Sequence, residues 1–393
     1  MFDNYSVNVV KQAVAPMNYF HDLITKPRHE LLFSFRPHGQ AYHCHCGQPV
    51  YFRNTQCLNC KGALGYDCEL GTLLSLKPLG DGATWVAIDG DESRQYRLCA
   101  HVESPAACNW LIPAESEATL CIACSLNRTI PNLESEQNQL YWRRLETAKR
   151  RLVAQLLLMG LPVAAKTGDD DNEGLAFDFL EQLPGEGPVM TGHDNGLITI
   201  NVAEADDANR EALRARLREA YRTLLGHLRH ESGHYYWDRL VQNSDWLPVV
   251  RSVFGDDTLD YTEALEQHYQ DGPPPDWPDS FISAYATSHP WEDWAETWAH
   301  YLHMTDGLNT AMDFGIDTSQ VEPCSEPFTH ADLYDPEAQD ADVFLSFVNR
   351  WISLTAVLNQ LSLSVGHRAL YPFVIAGPVV AKLQVIHMVI RDQ

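Results

Sequence analysis

Residues 224–237 read LLGHLRHESGHYYW, and within them His230 and His234 stand four apart with Glu231 directly after the first. On a helix, side chains four apart lie one turn above each other on one face, so two imidazoles can grip one metal ion. Glu231 is then beside the first ligand, where a carboxylate can serve as general base toward a water on that metal. Gly233 would weaken a plain helix by about 1 kcal/mol relative to Ala, so its presence asks for a reason at the site. A catalytic metal needs a third protein ligand and one open position. The stretch SAYATSHPWEDWAETWAHYLH (283–303) supplies candidates in Glu292 and Glu296, again one turn apart. One carboxylate can bind the metal while the other takes the remaining N–H of a ligating histidine. Pro290 followed by acidic residues marks the start of the helix that would carry them. Without a metal, the same acids read as a solvated face, and Trp291, Trp294 and Trp298 as core.

Cysteines form two further groups. In YHCHCGQPVYFRNTQCLNCKGALGY (42–66), Cys44, Cys46, Cys57 and Cys60 can close on one Zn²⁺ from two tight turns, with Gly47 permitting the first. His43 and His45 are competing ligands there. The second quartet is Cys99, Cys108, Cys121 and Cys124, of which only Cys121 and Cys124 form a compact pair. Neither quartet leaves an open position, so both read as structural zinc sites whose binding energy substitutes for a large core. Cys68 and Cys324 have no partner in view and read as buried free thiols.

These residues need elements to hold them. Residues 41–130 are turn-rich and short-stranded. A helix is predicted from near residue 136, with Tyr141, Leu145, Ala148, Leu152, Leu156 and Met159 as its apolar stripe and Gly160 and Pro162 as its end, which puts a boundary near Pro131. VMTGHDNGLITINV (189–202) reads as a hairpin turning at Asn195-Gly196, with His193 as a turn residue. One long helix over 203–240 is expected to carry the histidine motif near its C-terminal end, burying Leu213, Leu217, Tyr221, Leu224, Leu225 and Leu228. His227, one turn before His230, reads as a packing or supporting histidine. Residues 241–280 read as loop with short pieces of structure, followed by helices over 291–304, 342–361 and 378–390.

CHCGQPVYFRNTQCLNC, CNWLIP, YRTLLGHLRHESGHYYWDRL and HPWEDWAETWAHYLH together resemble the bacterial zinc-binding metallopeptidase family, which joins an N-terminal zinc ribbon to a gluzincin-like HExxH peptidase domain. The resemblance runs from about Tyr42 to the end and leaves residues 1–40 unassigned. It implies an α+β fold: a Cys₄ zinc-ribbon domain of short β-strands over 41–130, then a mainly helical zincin-like domain with a small β-sheet over 131–393. It implies one catalytic and two structural Zn²⁺ ions, with Glu292 as third ligand beside His230 and His234, Glu296 as the histidine's partner and Glu231 as general base in peptide hydrolysis. Some gluzincins place an oxyanion-stabilising tyrosine one loop before the glutamate helix, and Tyr285 fits that spacing; His289 and Tyr235 are rivals. Zincins commonly lay substrate along an edge strand, which makes LITINV (197–202), with Ile198 and Ile200, the expected backbone-pairing surface. His300 and His303 lie later on the glutamate helix, His303 being the reserve ligand.

The chain of 393 residues is 45% apolar and 21% charged, ordinary globular material. Its net charge of −25 argues against nucleic acid or an anionic membrane as the main partner, although RHELLFSFR (28–36) and YFRNTQCLNCK (51–61) are locally basic. No signal peptide opens the sequence, and LYPFVIAGPVVA (370–381) is too short and broken to span a bilayer. The expectation is a cytoplasmic enzyme acting on a peptide or protein substrate. The competing expectation is a catalytically inert zinc-binding scaffold that uses the ribbons for protein–protein contact.

Overall fold

The computed structural model describes residues 41–80, 82–168, 171–183, 185, 187–217, 222–321 and 327–393; Tyr221, Cys324 and the side chain of Leu217 lie outside these. Strands β1 (Ala63–Asp67), β2 (Thr72–Leu79), β3 (Thr84–Ala87), β4 (Gln95–Leu98) and β5 (Leu111–Pro113) form an antiparallel sheet in that order. Phe52 meets Tyr66 and Trp110 edge to face and these two rings are tilted on each other, with ring centroids 4.7 to 6.5 Å apart. A one-turn helix, α1 (Ile122–Ser125), follows. The chain then crosses over: β6 (Asn127–Thr129) pairs in parallel with β7 (Ala176–Leu180) of a second sheet. Residues on the ribbon side of Pro131 thus supply a strand to the helical part.

Helix α2 (Glu136–Leu158) begins where Ser135 accepts a hydrogen bond from the Asn138 N–H and ends before Gly160, at φ 75°. Tyr141, Leu145, Leu152 and Leu156 face the core as their spacing predicts, but so do Glu146, Lys149 and Arg150. The hairpin forms as expected from β8 (Gly192–Asp194) and β9 (Leu197–Asn201), with Asn195 at φ 45° and Gly196 at φ 78°, the double positive φ of a two-residue turn.

The sheet order β6-β7-β9-β8 corrects the expected edge strand. β9 is held by β7 on one side and β8 on the other, and Ile198 and Ile200 are buried at 0% and 1% exposure, so neither can meet a substrate. A hairpin's sequence does not say which arm faces outward; here β8 is the terminal strand.

The single helix expected over 203–240 is also corrected. A 3-10 turn (Val202–Ala205) precedes α3 (Asp207–Leu217), and a separate helix, α4 (Leu224–Leu240), starts afresh. Thr223, in extended backbone at φ −131°, accepts from the Gly226 N–H and caps it. Leu228 is buried, whereas Leu213, Leu224 and Leu225 are only partly so.

Two helices occupy the expected loop, α5 (Leu247–Phe254) and α6 (Tyr261–Asp271). Helix α7 (Pro290–Asp313) runs well past residue 304 and packs against α4, α5 and the last two helices, α8 (Ala341–Ser364) and α9 (Gly377–Arg391). Among the described residues only α8 is long and apolar enough to cross a membrane by length and composition, and 50% of that window is buried inside the fold.

Candidate active site and metal centres

The centre of the helical part is the contact of α4 with α7, and Gly233 sets its closeness. A Cβ at Gly233 would stand 2.8 Å from Ala295 Cα and 3.2 Å from Trp298 Cβ. The two helices are pinned there by Trp294 Nε1–H donating to the Gly233 carbonyl (2.9 Å) and Trp298 Nε1–H donating to Ser232 Oγ (3.1 Å).

That approach gathers His230, His234 and Glu292. The two Nε2 atoms are 3.2 Å apart, and Glu292 Oε2 lies 3.0 Å from one and 3.5 Å from the other. Tetrahedral zinc with bonds of about 2.1 Å places its donors about 3.4 Å apart, so the set fits that ion. The tautomer of His230 agrees. His230 Nδ1 lies 2.7 Å from Glu296 Oε1, and the other Glu296 oxygen accepts from Ser283 Oγ at 2.6 Å. A hydrogen on Nδ1 leaves the Nε2 lone pair facing the centre. Glu292 Oε2 is buried and faces the two imidazole nitrogens. Burial opposes ionisation of Glu292, but the charges and hydrogen bonds of His234 and His230 outweigh it and hold its pKa well below the carboxylate range.

Around the donors stand groups that spacing alone does not bring together. Trp291 packs on His234 with ring centroids 3.9 Å apart. Tyr261, at the start of α6, donates its hydroxyl to Glu292 Oε1 at 2.5 Å. Tyr285 lies in a 3-10 turn before α7 with its ring 6.0 Å from that of His230; burial and the Glu292 charge raise its pKa well above 10.0. Glu231 is buried, with Oε1 3.2 Å from His227 Nε2, while Oε2 meets no hydrogen-bond donor among the described residues. His227 Nδ1 lies 2.6 Å from Glu204 Oε2, and Glu204 Oε1 accepts from Thr191 Oγ1 at 2.6 Å. Burial works against charge on both partners. Even so, Glu204 and Glu231 raise His227 to about 9, and His227 and Thr191 lower Glu204 to about 2.

Several expected residues stand elsewhere. His193 is a strand residue, not a turn residue: its buried ring stacks 6.4 Å from that of His234, accepts from the Gly196 N–H at 2.9 Å and is pushed down to about 4 by burial. His289 caps α7 by accepting from the Trp291 N–H (3.0 Å), with its other nitrogen at the Leu259 carbonyl (3.1 Å), so it is no rival to Tyr285. The Tyr235 hydroxyl is likewise engaged, by the Glu173 carbonyl at 2.7 Å. His300 bonds the Tyr371 hydroxyl (2.7 Å), and His303 Nδ1 accepts from Arg229 (2.6 Å), which keeps the reserve ligand out of the donor set. Cys68 is half-buried, and burial with the Asp67 charge pushes its thiol up to about 12.

Both cysteine quartets converge. Sulfur separations are 3.5 Å (Cys44–Cys60), 3.8 Å (Cys46–Cys57) and 3.7 Å (Cys108–Cys121), far beyond a disulfide bond. They match the roughly 3.8 Å edge of a zinc–tetrathiolate tetrahedron. In the first group Cys46 and Cys60 are exposed; in the second all four are buried. Beneath the second, α2 places Glu146, 3.9 Å from Cys124 Sγ, with Lys149 Nζ 2.7 Å from Glu146 and Arg150 3.6 Å from it. Lys149 and Arg150 less the charge of Glu146 leave one net positive charge under the four thiolates, which offsets part of the negative charge that a tetrathiolate site brings inside. Composition reads such residues as a solvated face, which is why the sequence conceals them.

A knuckled sheet leading into a helical unit that gathers two histidines and a glutamate defines a two-part zinc-binding protein. Residues 138–389 match the family described as "Putative zinc-binding metallo-peptidase", and residues 41–135 match a zinc-ribbon domain. The chain belongs to that metallopeptidase family. It is 42% identical over 353 residues to the uncharacterized protein Rv2568c of Mycobacterium tuberculosis (strain ATCC 25618 / H37Rv), covering 89% of this chain and 95% of that one. The uncharacterized protein Mb2598c of Mycobacterium bovis (strain ATCC BAA-935 / AF2122/97) shows the same identity and coverage. No solved structure matches the chain at a significant level.

Proposed function

We propose that the protein is a zinc-dependent peptidase, with one catalytic ion at His230, His234 and Glu292 and two structural ions at the cysteine quartets. The observation that carries this reading is the juxtaposition of three convergent donor atoms with Glu231, whose Oε2 is buried and free of hydrogen-bond donors among the described residues. Zinc held there supplies Lewis acidity to a water and to the scissile carbonyl. Glu231 Oε2 takes the proton of the attacking water and delivers it to the leaving amine. Glu296 keeps the hydrogen of His230 on Nδ1. The Tyr285 hydroxyl is the donor assigned to the carbonyl oxygen as it gains charge, since that of Tyr261 is held by Glu292 Oε1. Substrate backbone pairs along β8, the terminal strand, whose His193 ring stacks beside His234.

One observation favours the inert scaffold: His230, Glu231, His234 and Glu292 are each less than a tenth exposed. A single experiment separates the two readings. Zinc per chain and hydrolysis of a denatured-protein substrate are measured for wild type and Glu231→Gln. The peptidase reading expects zinc content unchanged and turnover lowered about 10²–10⁴-fold, the usual range for a general base. A wild type that carries three zinc ions and cleaves nothing supports the scaffold.

A further inference from the structure

Resting on the peptidase reading, we propose that His227 is a positioning residue: it pins one oxygen of Glu231 so that the other points at the attacking water, and Glu204 fixes His227 in turn. A glutamate side chain has three rotatable bonds, and a base swinging among rotamers loses the alignment that proton transfer needs. Here Glu231 Oε1 is met by His227 Nε2 at 3.2 Å, one turn earlier on the same helix. That contact alone would leave the imidazole free to tip. Its Nδ1, however, lies 2.6 Å from Glu204 Oε2. A carboxylate only accepts hydrogen bonds, so both ring nitrogens donate and the ring orientation is determined from two sides.

Glu204 is not on α4. It belongs to the 3-10 turn that follows the hairpin, where Thr191 donates to its Oε1 at 2.6 Å and Arg222 lies 3.6 Å from its Oε2. The direction of Glu231 is therefore set by its own helix through His227 and, through Glu204, by the sheet side of the molecule. The free oxygen, Oε2, is what this arrangement leaves for chemistry. The relay runs Thr191, Glu204, His227, Glu231, each side chain meeting the next.

The test uses the zinc-loaded full-length chain labelled with ¹⁵N-histidine. At about pH 7 one imidazole is expected with both nitrogens protonated; its signal disappears in His227→Gln and is displaced in Glu231→Gln and in Glu204→Gln. On a denatured-protein substrate, His227→Ala is expected to lower kcat about 10–100-fold, the range for residues that support a reacting group, with KM changed by less than about twofold. Zinc per chain stays the same, and His227→Gln, which keeps an N–H donor, recovers part of kcat. A His227 signal indifferent to Glu231→Gln, a loss of zinc in His227→Ala, or a raised KM with intact kcat overturns the proposal. Should His227→Ala fail to fold, His227→Gln and the two carboxylate variants still decide it. An inert wild type overturns the peptidase reading itself, whereas an active wild type with an unmoved signal overturns only the role of His227.

Discussion

Gly233 shows how one residue serves two demands. Spacing reads it as a helix weakener with a purpose at the metal site; the fold gives the purpose as helix contact, since a Cβ there would stand 2.8 Å from the backbone of Ala295. Gly233→Ala gains about 1 kcal/mol of helix propensity. The clash, with backbone that cannot rotate away, costs about 1–3 kcal/mol and outweighs it. The expected outcome is a lower urea midpoint and weaker zinc binding at His230 and His234, read by unfolding curves and chelator competition; an unchanged midpoint would refute the contact. His230, Glu231, His234, Glu292 and Glu296 are legible in the sequence because helical spacing makes residues four apart into neighbours. Tyr261, Glu204 and Thr191 are not, because a helix start, a 3-10 turn and the residue before β8 deliver them from separate parts of the chain. Trp291 is visible, but only as a core candidate; its place on the His234 ring is a tertiary fact.

At the scale of elements, α4 depends on more than its own propensity. Its ties reach the 3-10 turn through His227 and Glu204, and α7 through Trp294 and Trp298. The first tie has a pH signature. In the folded protein His227 is raised to about 9 by Glu204 and Glu231 against the cost of burial. Its ordinary value is about 6.5, so its contribution is complete below that pH and is lost as pH climbs through 9, at most about 3 kcal/mol. Thermal unfolding of wild type is expected to lose stability between about pH 6.5 and 9.5, and Glu204→Gln to flatten that limb. Equal slopes in the two proteins would show that the pair carries no such linkage. The break between α3 and α4 also lies at this scale. Apolar spacing continues across it, so periodicity reads a single helix, but Thr223 as an N-cap starts a new one.

For the whole molecule, the two cysteine quartets are unequal. Cys46 and Cys60 are exposed, whereas the second quartet is sealed above Glu146, Lys149 and Arg150. A thiol-competing chelator is expected to draw zinc from the first quartet quickly, with little change in helical circular dichroism, and from the second only as the protein unfolds. Cys46→Ser should erase the fast phase; simultaneous release from both quartets would contradict the difference in burial. The compact quartets are legible because cysteines stand out in a sequence, while the cations beneath them look like any helix surface. Strand β6 begins three residues after Cys124 and ends in the sheet that carries β8, with Pro131 just beyond it. Severing the chain at that proline would strip β7 of a partner and leave a bare, adhesive edge. Parting the ribbon from the helical unit therefore keeps the second sheet whole only if the cut falls before Asn127.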